Sequence, residues 1–296
     1  MVRMRWVPVV ALLGGCYTPS VAEGLACTPN THRCPADQQC DPRSNTCVAD
    51  LEPPCTSFGA WAPARPLQFP MGYAAAMSPD GATLVFDVND PSGDLYVATW
   101  DTSAGDYVNP QAIATLNTTA DEVDAGWSAD GTVLYFRSDG NPMSSTVTPG
   151  PAFGAPVPAI DLPSLGTVRR PRFSWDGLDV FYWDELKLYH AHRTSETAAW
   201  QDAADTVADL DDPMRDEREP AIDAEGLRII YSLDDFMLRE AIRADRQSAF
   251  GSPQPIELGT GSYFEPDLSR DGTRLLFTSA GSADRIFMMT RTCNLH

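Results

Sequence analysis

Met77-Ser78-Pro79-Asp80-Gly81-Ala82-Thr83-Leu84-Val85-Phe86 decides how the rest of the chain is read. The same text returns as Trp127-Ser128-Ala129-Asp130-Gly131 running to Phe136, and as Phe173-Ser174-Trp175-Asp176-Gly177 running to Tyr182. Two further copies are Ile222-Asp223-Ala224-Glu225-Gly226 running to Tyr231, and Leu268-Ser269-Arg270-Asp271-Gly272 running to Phe277. The glycines are spaced 50, 46, 49 and 46 residues apart, a period that marks a repeat architecture. Each Asp-Gly turn lets the backbone reach positive φ, and each is followed by apolar residues three and five places after the glycine. Leu84 and Phe86 are the first such pair and Leu275 and Phe277 the last, so the unit is a β-hairpin.

Further strands follow in each period. Asp94–Ala98, Lys187–Ala191 and Arg285–Met289 read as third strands. The equivalent near Met143-Ser144-Ser145 is poor, and Met237–Ile242 has a pattern that also suits a helix. Fourth strands open on an aromatic or apolar residue and run through prolines, as in Val108–Ile113, Phe153–Pro156, Trp200-Gln201 and Phe250–Pro253. Proline suits an edge, where no ladder donor is lost. Four antiparallel strands per period, the last an edge, make a propeller blade.

The pattern P-x-Φ-S-x-D-G-x-x-Φ-x-Φ, seen from Pro171, Pro220 and Pro266, resembles the WD40-like (PD40) repeat of TolB-type propellers. It differs from the sialidase Asp-box, which has one more residue between Asp and Gly. The resemblance covers residues 58–296 and implies an all-β, five-bladed propeller. The fourth copy departs from it with Asp223 and Glu225. The amino-terminal α/β domain of TolB itself is absent, so a Tol-system role is not carried over.

The last blade lacks an outer strand, and Phe58–Leu67 resembles one at the other end of the chain. This segment is expected to pair with Arg285–Thr290 and shut the ring. Cys55 and Cys293 would then flank neighbouring strands and form a disulfide. Closing a loop of more than 200 residues would contribute roughly 4–5 kcal/mol on the chain-entropy model.

The chain holds 41 acidic and 21 basic residues, a net charge of −20. Its single lysine is Lys187. That acidity argues against nucleic acid and anionic lipid headgroups as ligands. Met1-Val2-Arg3-Met4-Arg5, an apolar run to Leu13, and Leu13-Gly14-Gly15-Cys16 make a secretory leader too short to span a bilayer. This ending resembles a bacterial lipoprotein signal. The resemblance implies cleavage after residue 15, a lipid anchor on Cys16 and a mature charge nearer −22. Tyr17, in place of an aspartate, favours the outer membrane, facing the periplasm or the cell surface.

Six cysteines remain, an even number suited to an oxidising compartment. Residues 16–26 read as a tether, 27–47 as a small Cys-rich module and 48–57 as a linker. Cys27, Cys34, Cys40 and Cys47 admit three pairings, and their spacing does not suit zinc. The module looks like those that follow the lipid cysteine in bacterial surface lipoproteins, and that resemblance favours 27–40 with 34–47.

The sequence has no G-x-S-x-G, H-E-x-x-H, P-loop or G-x-G-x-x-G motif, so no catalytic residue, metal or cofactor is assigned. The histidines are His32, His190, His192 and His296, and alternation puts His190 and His192 on one strand face. Four places before each motif Ser/Asp stand Ala74, Asp124, Arg170, Glu219 and Glu265, where the innermost strand begins beside the axial channel. Charged side chains there need water, and the channel mouth would supply it. Asp124, Arg170, Glu219 and Glu265 are therefore the ligand-site candidates, with Arg169, Asp216 and Arg218 beside them. The acidic stretch Asp209–Glu217 reads as a solvated loop, with Ca²⁺ the alternative. The expected function is a monomeric binding scaffold for a protein or envelope glycan, tethered to the membrane through Cys16. The alternative is a glycosidase using Asp124, Glu219 and Glu265 at the axis.

Overall fold

The computed structural model describes residues 25, 27, 34–35, 38–41, 43, 45–49, 51, 55, 57–69, 71–89, 92–162, 168–184, 187–201, 207–281 and 285–294. The leader 1–15, Cys16, His32 and His296 lie outside the described residues. Twenty-two strands and no helix occur among the described residues, and the chain is an all-β, five-bladed propeller. No helix there is long and apolar enough to cross a membrane.

Blade 1 is the antiparallel sheet Tyr73–Met77, Thr83–Asn89, Gly93–Asp101 and Asp106–Ala112. Blade 2 runs Glu122–Trp127, Val133–Ser138 and Asn141–Thr148, edged by Ala152–Phe153 and Val157–Pro158. Blade 3 is Arg169–Phe173, Asp179–Asp184 and Lys187–His192, with a lone bridge from His192 to Gln201 at its edge. Blade 4 is Glu217–Ile222, Arg228–Leu233, Met237–Ile242 and Gln254–Pro255. Blade 5 is Tyr263–Leu268, Arg274–Ser279 and Arg285–Thr290, completed by Arg65–Pro66.

The edge strands of blades 2 and 4 lie beside the expected Phe153–Pro156 and Phe250–Pro253, at Ala152–Phe153 with Val157–Pro158 and at Gln254–Pro255, and two third strands also differ from expectation. Asn141–Thr148 is an eight-residue strand despite its serines, because its neighbours on both sides supply ladder partners. Met237–Ile242 is a strand in full register with Arg228–Leu233, so the ladder overrides its helical propensity.

The repeat motif explains the turns. All five motif glycines have φ between 66° and 73°. In four copies the motif serine hydroxyl donates to the motif aspartate, as from Ser78 to Asp80 at 2.5 Å and Ser174 to Asp176 at 2.7 Å. In the departing fourth copy Asp223 does both jobs, accepting the amides of Leu227 and Arg228 at 2.8 and 3.2 Å. Each second strand is buried on both faces between adjacent blades. Leu84 and Phe86 pack towards blade 5, whereas Val85 packs towards blade 2.

The ring closes as expected. Arg65 and Pro66 pair with Met288 and Phe287, Phe58 bridges Cys293, and Cys55 is bonded to Cys293. In the small module Gln39–Asp41 and Thr46–Val48 form a hairpin, with disulfides 27–40 and 34–47.

Candidate functional site

The five aligned positions Ala74, Asp124, Arg170, Glu219 and Glu265 share one backbone conformation, with φ between 47° and 63°. Each sits where the inner strand slips register against its neighbour, in a β-bulge. In blades 3, 4 and 5 the next bulge residue is Pro171, Pro220 or Pro266, which has no ladder donor to lose. Left-handed backbone at a residue with a side chain costs about 1 kcal/mol or more, so something must hold it there.

At three of the five positions carboxylates from neighbouring blades do so. Glu219 accepts the Glu265 amide at 2.7 Å, and Glu265 accepts the Ala74 amide at 2.7 Å. Blade 1 has alanine at this position, and Asp87 on its second strand supplies the carboxylate, accepting the Asp124 amide at 3.1 Å. Blade 4 is thereby tied to 5, 5 to 1 and 1 to 2. In blades 2, 4 and 5 the residue six places after the motif glycine completes the arrangement. Ser232 donates to Glu219 at 2.6 Å, Thr278 to Glu265 at 2.8 Å and Arg137 to Asp124 at 3.3 Å. That position reads Asp87, Arg137, Trp183, Ser232 and Thr278. A polar residue there in four of the five copies, on an otherwise apolar strand, was the sequence signal for this network.

The candidate carboxylates were expected to find water at the channel mouth. They are instead buried in the wall, Glu219 and Glu265 with backbone amides in place of water and Asp124 with the Arg137 guanidinium. Burial first, then the Glu219 carboxylate, pushes the Glu265 carboxyl up to about 8. Asp87 is fully buried, and desolvation followed by Asp124 holds its carboxyl well above the usual range.

Arginines fill the axis. Arg170 is fully buried and donates to the Ala75 carbonyl at 2.9 Å, with Glu265 at 3.8 Å. Arg172 pairs with Asp267 at 3.0 Å and donates to the Ala125 carbonyl at 3.0 Å. Its room comes from small residues at the equivalent positions, Ala76, Gly126 and Ala221. A Cβ on Gly126 would come within 2.4 Å of the Pro171 carbonyl and 3.1 Å of the Arg172 guanidinium.

The two ends of the axis differ. At the motif-turn end Arg270 reaches the Ala129 carbonyl and donates to Asn45 Oδ1 at 3.0 Å, while Asn45 Nδ2 donates to the same carbonyl at 3.1 Å. The small module thus closes this end, and burial lowers the Arg270 guanidinium to about 10. At the opposite end the inner strands begin with half-exposed Tyr73, Val123, Arg169, Arg218 and Phe264. Arg218 pairs with Asp235 at 2.7 Å and Asp216 at 3.1 Å. Met71, Met214 and Phe236 stand exposed in the loops of this end, at 42%, 86% and 60%.

The acidic loop does not present an open cation site. Its oxygens converge on Lys187 Nζ, from Asp211 at 2.7 Å, the Asp212 carbonyl at 2.8 Å, the Arg215 carbonyl at 2.9 Å and Glu217 at 2.8 Å. His190 bonds Asp179 at 2.8 Å and stacks on Phe181. Among the described residues the one cluster with metal-like donor spacing is Cys27, Cys34 and Cys47, all in disulfides. A cleft of about 610 Å³, not foreseen from sequence, lies between the small module and blades 1 and 2, with Trp100, Trp127, Asp80 and Asp130 in its lining.

No protein-family model matches the chain, and no curated protein matches it. Among solved structures it is similar to the catalytic domain of a Coprinopsis cinerea GH62 α-L-arabinofuranosidase, at 12% identity over 81% of this chain and 98% of that one, TM-score 0.54. It is likewise similar to the Myceliophteria thermophila Cps50 (Swd1) β-propeller domain, at 10% identity over 77% and 100%, TM-score 0.51. TolB from Acinetobacter baumannii matches at 14% identity over 75% of this chain and 54% of TolB, TM-score 0.43. At such identities the likeness concerns the fold.

Proposed function

We propose that this chain is a cell-envelope lipoprotein, anchored through Cys16, whose propeller is a monomeric binding scaffold for a protein partner at its open axial end. One observation carries the reading: the axis is filled and one end is closed, while the other end exposes Met71, Met214 and Phe236 around half-exposed arginines. Exposed large apolar side chains beside arginine have the composition of a protein-binding surface. The axial residues Asp124, Arg170, Glu219 and Glu265 then serve the scaffold, positioning the rim without touching the ligand.

A glycosidase centre requires two carboxyls about 5–10 Å apart in an open pocket. Glu219, Glu265 and Asp124 are engaged with backbone amides, hydroxyls and arginines, which favours a scaffold over an enzyme. An envelope glycan is the second reading, favoured by the cleft beside Trp100 and Trp127.

Affinity capture from envelope extract tests the proposal, with the wild-type chain compared to a Met214→Asp/Phe236→Asp double variant and a Trp100→Ala variant. Loss of the captured protein in the double variant alone is expected. Unchanged capture by the double variant would overturn the protein-partner reading. Loss in Trp100→Ala with recovery of saccharide would replace it with the glycan one.

A further inference from the structure

We propose that Arg169 at the open end is a carboxylate-binding position that receives an acidic group, either side chain or C-terminus, of the partner polypeptide. The inference deepens the binding-face reading and rests on it.

In a chain with 41 acidic and 21 basic residues, an arginine at a surface rim is expected to find a carboxylate. Its neighbours do. Arg137 holds Asp124, and Arg218 holds Asp216 and Asp235. Arg215 holds Asp234. The Arg169 guanidinium makes no hydrogen bond or ion pair with a described residue, and its Nε is buried without an acceptor. It lies 4.7 Å from the centre of the Trp183 ring, and Arg218 lies 5.8 Å from the same ring. Two guanidinium groups therefore share one buried indole as their floor.

Such an arrangement favours an incoming anion. Burial, followed by the nearby Arg137, works against the Arg169 charge and lowers its proton affinity. A bound oxyanion would relieve that cost. The planar fork of arginine suits a carboxylate in a bidentate pair. Asp124 and Asp184 close by would oppose a dianion more strongly than a single charge, which favours carboxylate over phosphate. The surroundings point to a polypeptide. Phe236 directly follows Asp235, which holds Arg218, and Met214 stands exposed on the adjoining loop. An acidic residue flanked by apolar ones matches that surface.

The test uses the mature chain and small probes, so it does not depend on the partner. The backbone amide signals of Arg170, Trp183 and Arg218 are followed by NMR while N-acetylphenylalanine, its uncharged amide, or inorganic phosphate is added. The expected result is a saturable shift with N-acetylphenylalanine, at least tenfold weaker with the amide, weakened in Arg169→Lys and absent in Arg169→Gln. Equal response to the amide, or binding that persists in Arg169→Gln with an unchanged backbone spectrum, would overturn the proposal. Phosphate binding more tightly than the carboxylate would overturn the choice of ligand. Capture from extract separates this proposal from the reading beneath it. If capture survives Met214→Asp/Phe236→Asp, the binding-face reading fails whatever the probes do.

Discussion

The two ends of the propeller axis are built from the same five inner strands, yet they end differently. At the motif-turn end the neighbours of the glycine turns point inwards, and one of them, Arg270, spans the opening to Ala129 on a non-adjacent blade. Asn45 of the stapled module bonds both groups. At the other end the inner strands start with Tyr73, Val123, Arg169, Arg218 and Phe264, all half-exposed. The difference teaches that repeat symmetry builds the walls, and single departures from it decide which end is sealed.

The comparison can be broken most forcefully at the axis. Arg172→Leu would leave the buried Asp267 without its ion-pair partner, with the Met77 amide still bonded, and a cost of about 3–5 kcal/mol is expected in urea unfolding. Adding Asp267→Leu should return most of that loss. An equal loss in single and double variants would mean that packing, and not charge, holds the axis shut.

Next in size is ring closure. Cys55→Ser/Cys293→Ser should cost about 2–5 kcal/mol, because the bond spans 238 residues and constrains the unfolded chain. Hydrogen exchange should rise most at the outer edge of blade 5, where Arg65 and Pro66 pair with Met288 and Phe287.

Asn45→Ala sharpens the comparison at the closed end alone. Two hydrogen bonds vanish, and about 1–3 kcal/mol is expected as Arg270 and the Ala129 carbonyl lose a buried partner. Exchange should rise around Ala129 and Arg270 while the amides near Arg169 stay unchanged.

The remaining test is a pH slope. The Glu265 carboxyl titrates at about 8 in the fold against an ordinary 4.5, chiefly through burial. A raised folded-state pKa contributes stability that is complete below the unfolded value and is lost as pH rises through the folded one. Stability should therefore decline from about pH 4.5 to about pH 8, and Glu265→Gln should flatten the decline measured by Tm across that range. A steeper slope in the variant would assign the effect elsewhere.

Much of this was legible in the sequence because it is periodic. The glycines at 81, 131, 177, 226 and 272 fixed the blade count, and the Phe58–Leu67 segment announced how the ring shuts. The upstream positions stood out as well, since charge in an otherwise apolar inner strand is anomalous. Their environment was not legible. A bulge turns the neighbouring amide towards the carboxylate, and bulges leave no mark in composition beyond the proline that follows. Position six after each glycine was overlooked, because its polar signal is spread over four residue types, Asp87, Arg137, Ser232 and Thr278, and is broken by Trp183. The seal at Asn45 joins residues 84 apart in sequence that no repeat relates.

The most direct test of the account is hydroxyl-radical footprinting of the full chain in envelope extract, compared with buffer. Protection of Met71, Met214 and Phe236 at the open end, with Trp100 and Pro151 in the cleft unchanged, is the predicted result. Protection of Trp100 and Pro151 with Met71, Met214 and Phe236 still reactive would contradict it.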